Sequence, residues 1–183
     1  MGKLYQVIDP AHRAFIEQQP LFFVATAPLL ATGHVNLSPK GLDAFRVLDE
    51  RTVTYLDLTG SGNETAAHLT ENARLTLMFC AFSGHPKILR LYCRGRVVTR
   101  LSQEWAEAVG RFPAQPGIRQ IIVADVESVQ TSCGFGVPLM SFDQQRDQLT
   151  RWAETKGEHQ LVEYRRTRNA VTIDGILTPP TDR

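Results

Sequence analysis

Short apolar runs broken by Gly, Pro and Asp recur along this chain, and their period is that of strands more often than of helices. Residues 21–27 form one such run, ended by Pro28. Residues 35–38, 44–48 and 52–56 are short β-prone pieces separated by Gly and Asp turns. Residues 75–82 and 88–98 are the longest strand candidates, and Ser83-Gly84-His85-Pro86 between them predicts a hairpin. Residues 121–129 supply a further strand.

Helical spacing is confined to a few places. Asp9-Pro10 is a cap-plus-proline start, and Ala11, Ala14, Phe15 and Gln18 follow at helical intervals, predicting a helix over 9–18. A short helix is expected over 65–71. Residues 102–111 place Trp105, Ala108 and Val109 on one face behind Ser102 as a cap. Residues 143–156 form a charged helix burying Leu149 and Trp152 and ended by Gly157. The tail, 170–183, with Asp174-Gly175 and its prolines, reads as extended.

Roughly six or seven short strands with peripheral helices argue for a mainly β fold, a barrel with α additions, and against a doubly wound parallel sheet. Without repeats, low-complexity tracts or a linker, residues 1–183 read as a single domain.

Composition narrows the function class only slightly. A hydrophobic content of 43% and a net charge of +1 suit a globular protein with no bulk attraction for nucleic acid or anionic membrane. Cys80, Cys93 and Cys133 form no CxxC pair, which favours a reducing compartment, and no apolar stretch is long enough to span a bilayer. The expectation is a cytoplasmic protein.

Candidate chemistry begins at Tyr55-Leu56-Asp57-Leu58-Thr59-Gly60-Ser61-Gly62-Asn63-Glu64-Thr65, which reads as strand, tight polar turn and helix start. Amides near Gly62, Asn63 and Glu64, with the side chains of Ser61, Asn63 and Thr65, suit a phosphate, because a helix N-terminus offers unpaired N–H groups and partial positive charge. Ser61-x-x-Glu64 also fits a capping box, and taken alone the turn reads more simply that way. It is neither a P-loop nor a Rossmann turn.

Two strands add polar faces. Asn36, Ser38 and Lys40 alternate along Gly33-His34-Val35-Asn36-Leu37-Ser38-Pro39-Lys40-Gly41, and Arg90, Tyr92 and Arg94 share a face of 88–98. Each is equally a solvated strand face. The histidines (His12, His34, His68, His85, His159) show no metal-site spacing, Ser61 and Ser132 lie in no nucleophile elbow, and Cys133 beside Gly134-Phe135-Gly136 is more simply a small strand-end cysteine.

In this order, Val35-Asn36-Leu37-Ser38-Pro39-Lys40-Gly41, Tyr55-Leu56-Asp57 with Gly60-Ser61-Gly62-Asn63-Glu64-Thr65, Asn72-Ala73-Arg74-Leu75 and Ile88-Leu89-Arg90-Leu91-Tyr92 resemble the pyridoxamine 5'-phosphate oxidase-like, FMN-binding split-barrel superfamily, in particular a bacterial oxidase-related subgroup. The resemblance extends less specifically to 132–138 and 173–175. It implies a six-stranded split barrel, a homodimer, and FMN sites at the subunit interface. The residues implied to bind cofactor are Asn36, Ser38, Lys40, Leu56, Asp57, Ser61, Gly62, Asn63, Glu64, Thr65, Arg74 and Arg90. The strand ending in Lys40 would lie along the flavin and Arg90 would contact its ring. Such proteins commonly carry basic residues in the phosphate turn; Asn63-Glu64-Thr65 stand there here, leaving neutralisation to Lys40, Arg74, Arg90 or the partner subunit.

The Tyr/Arg/Ser set that grips substrate phosphate in the true oxidase is not reproduced over 102–111, nor its Arg-rich C-terminus over 177–183. The expectation is therefore an FMN-dependent oxidoreductase of unassigned small-molecule substrate, not an efficient pyridoxamine 5'-phosphate oxidase. The alternatives on the same barrel are an F420-dependent reductase and a non-catalytic flavin or haem carrier. No side chain is assigned as catalytic acid or base, and no metal is expected.

Overall fold

The structure, a computed structural model, describes residues 2–182. An 8-stranded antiparallel sheet organises it. The strands are β1 (Lys3–Tyr5), β2 (Phe22–Thr26), β3 (Asn36–Lys40), β4 (Phe45–Val47), β5 (Thr52–Leu58), β6 (Arg74–Cys80), β7 (Ile88–Val98) and β8 (Ile118–Ser132). Their order is β3-β2-β6-β7-β8-β5-β4, with β1 also pairing the end of β8. The 75–82/88–98 hairpin is present as the β6–β7 pair, in which Leu77 faces Leu91.

The sheet curls. Phe22 of β2 and Phe45 of β4 lie near opposite ends of the strand order, yet their rings meet at 5.0 Å, and Phe45 stands 5.0 Å from Phe79. The result is the half-closed barrel of the split-barrel fold. Inward positions alternate with outward ones, so Leu89, Leu91 and Cys93 of β7 are buried while Arg94 and Arg96 are exposed. Val24, Tyr55, Leu77, Phe79, Leu91 and Ile122 fill the interior. A second cluster, Leu56, Val98, Phe112, Ile118 and Ile121, lies on the other face, which is why β5 is buried on both sides. Burying each such side chain contributes about 1.5–3 kcal/mol.

The helices are α1 (Pro10–Glu17), α2 (Glu64–Asn72), α3 (Trp105–Val109) and α4 (Gln148–Arg168). At α1 the expected start is realised: Asp9 accepts from the His12 amide at 2.7 Å and Pro10 follows the cap. The helix expected over 102–111 contracts to α3, because Ser102 Oγ accepts from the Thr99 amide in the preceding turn instead of capping the helix.

The helix expected over 143–156 is corrected at both ends. Residues 143–147 form no helix, since Gln145 is bound to the Pro20 carbonyl and the Leu42 amide across the sheet edge. Gly157, at φ +67°, breaks the helix without ending it, and a further segment runs on to Arg168. That segment buries Leu161 and Arg165, and Arg165 holds Asp182 through Nε at 2.7 Å and Nη2 at 2.9 Å. The tail is also not simply extended: it folds back on itself, with Val171 bridged to Leu177. Among the described residues, no helix is long and apolar enough to cross a membrane.

Candidate functional site

A cleft of about 600 Å³ opens between β3, the end of β5 and the start of α2. Asn36, Ser38, Lys40, Leu56, Ser61, Gly62 and Glu64 line it, together with Arg119. The alternation along β3 sets its polar wall. Asn36, Ser38 and Lys40 are the half-buried positions, whereas Leu37 and Pro39 face outward, Leu37 being 63% exposed. The polar face of this strand is thus turned into the molecule and the apolar one outward.

A chain of hydrogen bonds fixes that wall. Ser38 Oγ donates to Asn36 Oδ1 at 2.9 Å, and Asn36 Nδ2 donates to Thr65 Oγ1 at 3.0 Å and Thr26 Oγ1 at 3.2 Å. Thr26 Oγ1 in turn lies 3.0 Å from Nδ1 of the buried His68. Thr65 therefore supports the wall from α2 and does not itself line the cleft.

The floor is an ion cluster centred on Asp57, at the end of β5. Register pairing sets Asp57 opposite Gln120 of β8, beside Arg119. Arg119 Nε and Nη2 donate to Asp57 Oδ2 at 3.0 and 2.7 Å, and Gln120 Nε2 donates to the same oxygen at 2.8 Å. Lys40 Nζ donates to Oδ1 at 2.7 Å. Burial pushes the Asp57 carboxyl up, but the guanidinium of Arg119 and the ammonium of Lys40 outweigh it and hold the group well below the usual carboxylate range.

The Gly60–Gly62 turn is braced from the same cluster. Arg119 Nη1 donates to the Gly62 carbonyl at 2.7 Å and to Asn169 Oδ1 at 2.9 Å, and Asn169 Nδ2 donates to the Gly60 carbonyl at 3.0 Å. Gln120 Nε2 also reaches Asn63 Oδ1 at 2.7 Å. That last bond has a consequence for α2. Asn63 stands at the N-cap, but its side-chain oxygen is engaged by Gln120, and no side chain caps the helix. The capping box anticipated for Ser61-x-x-Glu64 is not formed, because Glu64 is itself the first helical residue. The first-turn amides are left without a capping partner at the edge of the cleft. Among the described residues, the buried side-chain atoms with no partner are Tyr55 Oη, His68 Nε2 and Gln120 Oε1, all on the elements that build this site.

Arg74 and Arg90 lie elsewhere. Arg74 Nη2 donates to the Pro28 carbonyl at 3.1 Å, and Arg90 Nη1 donates to Ser132 Oγ at 3.3 Å on the outer face of β7. Neither lines this cleft. Sequence reasoning missed Arg119, Gln120 and Asn169. For Arg119 and Gln120 a signal exists: they interrupt the apolar run from Ile118 to Ala124, and a charge there demands a buried partner. Among the described residues no group of acidic, histidine and cysteine side chains suits a metal ion.

The family model described as pyridoxamine 5'-phosphate oxidase matches residues 8–133. The pyridoxamine 5'-phosphate oxidase family protein ustO of Aspergillus flavus is 39% identical over 193 residues, spanning 96% of this chain and 77% of that protein. Two solved structures share the fold. A candidate pyridoxamine 5'-phosphate oxidase from Lactobacillus delbrueckii aligns with a TM-score of 0.55 at 17% identity, over 68% of this chain and 94% of that one. A HupZ variant from Group A Streptococcus aligns with a TM-score of 0.53 at 21% identity, over 68% and 99%.

Proposed function

The chain belongs to the pyridoxamine 5'-phosphate oxidase family, and from that premise we propose that it is an FMN-binding oxidoreductase with its cofactor in the cleft between β3 and the Gly60–Gly62 turn. The observation that carries this reading is the uncapped N-terminus of α2, facing a cleft whose opposite wall is polar. An unsatisfied set of helix amides suits the anionic end of such a cofactor.

Asn36 Oδ1 and Ser38 Oγ keep acceptor lone pairs for an N–H on the edge of a heterocyclic ring, their donors being spent within the wall. Lys40, held by Asp57 and partly open to the cleft, sets a positive charge beside that ring. Arg119 works from beneath the turn, holding Gly62 through its carbonyl. When bound, the flavin supplies hydride or electron transfer, and the chain's residues bind and orient it. The proposed assembly is a homodimer in which the second subunit closes the cleft. The proposed substrate is a small molecule, with pyridoxamine 5'-phosphate not turned over efficiently, because the phosphate-gripping residue set of the true oxidase is not reproduced over 102–111.

The test is the absorbance spectrum of the purified protein before and after addition of FMN, followed by anaerobic NADH or NADPH. Flavin bands that bleach with a reductant support the reading. A protein that shows no flavin and takes up none overturns it; uptake of F420 or haem instead would assign the barrel to those cofactors. Robust oxygen-dependent turnover of pyridoxine phosphate would overturn the substrate part alone.

A further inference from the structure

Glu64 stands where the anionic end of a ligand would approach. Its carboxylate is folded back over the turn: a Cβ built on Gly62 would overlap Glu64 Oε2 and lie 3.0 Å from Oε1. The side chain also lines the cleft. It thereby sets a negative charge beside the uncapped first turn of α2, the position that an N-terminal dipole favours for an anion.

The surrounding charges do not offset it. The other charged side chains lining the cleft are Lys40 and Arg119. Both are engaged by Asp57, whose ionised carboxylate already cancels one of them. Within one subunit, Lys40 and Arg119 against Asp57 and Glu64 leave no net positive charge for a phosphate dianion. A phosphate arriving at the turn meets suitable amides and an occupying carboxylate together.

Building on the flavin reading above, we infer that Glu64 is a specificity-determining residue, an internal competitor for the phosphate of the cofactor. The first-turn amides of α2 receive the phosphate and the Glu64 carboxylate offsets most of what they contribute, so the phosphate adds little beyond the ring and chain. FMN therefore binds as an exchangeable ligand only slightly better than riboflavin.

The experiment measures binding of FMN and of riboflavin, by quenching of flavin fluorescence, to the full chain and to Glu64→Gln and Glu64→Ala. Gln keeps the size and removes the charge. The expected result is near-equal affinity for the two flavins in the native chain. FMN should tighten about tenfold or more in both variants, the scale of one lost charge repulsion near a protein surface, while riboflavin stays within about twofold. Inorganic phosphate should compete with FMN in the variants and not in the native chain. A strong native preference for FMN, or FMN and riboflavin shifting together, overturns the role of Glu64 and leaves the flavin reading intact. Failure of both flavins to bind any of the three proteins overturns the flavin reading, and the inference with it. Circular dichroism of the variants guards against misfolding, since Glu64 is only half-buried at its helix end.

Discussion

Asp57 and Arg119 meet across the β5–β8 pair at the floor of the cleft, with Arg119 Nη2 2.7 Å from Asp57 Oδ2 and both side chains almost fully buried. The pair joins the strand that ends at the turn to the strand that braces it. Replacing Asp57 with Asn keeps the shape and leaves a buried guanidinium without its counter-charge. That change is expected to cost about 3–5 kcal/mol. The pH dependence has a definite sign. Because the folded-state carboxyl titrates well below its usual range, the stability it contributes is fully present above about pH 5 and drains away as pH falls toward the folded value. Urea unfolding at pH 7 and pH 3 should show the gap between native and Asp57→Asn protein shrinking in acid. A gap that widens in acid would refute the assignment.

Lys40 occupies the other oxygen of Asp57 but is partly exposed, at 23% of its side chain. Its removal leaves Asp57 with Arg119 and Gln120, so Lys40→Ala should cost little stability. Its effect belongs to the cofactor: FMN affinity about tenfold weaker, or a reduction potential displaced downward, because a cation near the ring favours the anionic reduced flavin. Fluorescence titration and anaerobic potentiometry measure the two quantities. If both stay at native values, Lys40 has no part in flavin binding.

These residues also show what local pattern can and cannot reveal. The alternation of Asn36, Ser38 and Lys40 was legible, as was the strand-turn-helix at 55–65, because periodicity and turn chemistry are local properties. Which way the β3 face points was not legible: a solvated face and a cleft wall have the same pattern, and only packing against Thr26 and Thr65 decides between them. Arg119 was missed because its partner lies far upstream, and pairing across antiparallel strands is not written in either segment alone. The Ser61 capping box failed for a related reason. The N-cap is Asn63, two residues beyond Ser61, and its side-chain oxygen is taken by Gln120, so no side chain serves the first-turn amides. At 157, a lone Gly inside a helical pattern read as a stop, whereas burial of Leu161 and Arg165 carries the helix past it.

The helix that presents the turn rests on a glycine. A Cβ at Gly95 of β7 would come within 2.9 Å of Leu69 Cδ2 on α2 and 3.0 Å of Leu75 Cδ2 on β6. Gly95→Val must therefore displace the Leu69 and Leu75 side chains and crowd α2 against the sheet. A loss of about 1–3 kcal/mol is expected from overpacking, with FMN affinity falling as well if the crowding is relieved by a shift of α2. Thermal melts together with flavin titration test both halves. A valine variant with an unchanged melting midpoint would show that α2 does not depend on this close approach.

The cysteines should separate by reactivity. Cys133 is exposed, while Cys80 and Cys93 are buried with their thiols pushed up by desolvation. A thiol-reactive chromophore should label Cys133 rapidly in the folded protein, and all 3 cysteines only on unfolding. Mass mapping that finds Cys93 modified under native conditions would contradict this packing.

The segment between β8 and α4 crosses the sheet edge without regular structure and is held at few points. Gln145 Nε2 donates to the Pro20 carbonyl at 2.8 Å, Gln145 Oε1 accepts from the Leu42 amide at 3.1 Å, and the Met140 amide donates to the Phe82 carbonyl at 2.8 Å. Leu42 and Leu149, at either side of that tether, both line the cleft. Arg146, next to the tether, is exposed. Removing the Gln145 amide deletes both of its anchoring bonds while leaving the core untouched, so Gln145→Ala should leave the unfolding midpoint within about 1 kcal/mol and selectively raise local opening. Trypsin should then cut after Arg146 several-fold faster than in the native chain, with cleavage elsewhere unchanged. Equal cleavage rates in the two proteins would mean that the segment is held by contacts other than this side chain.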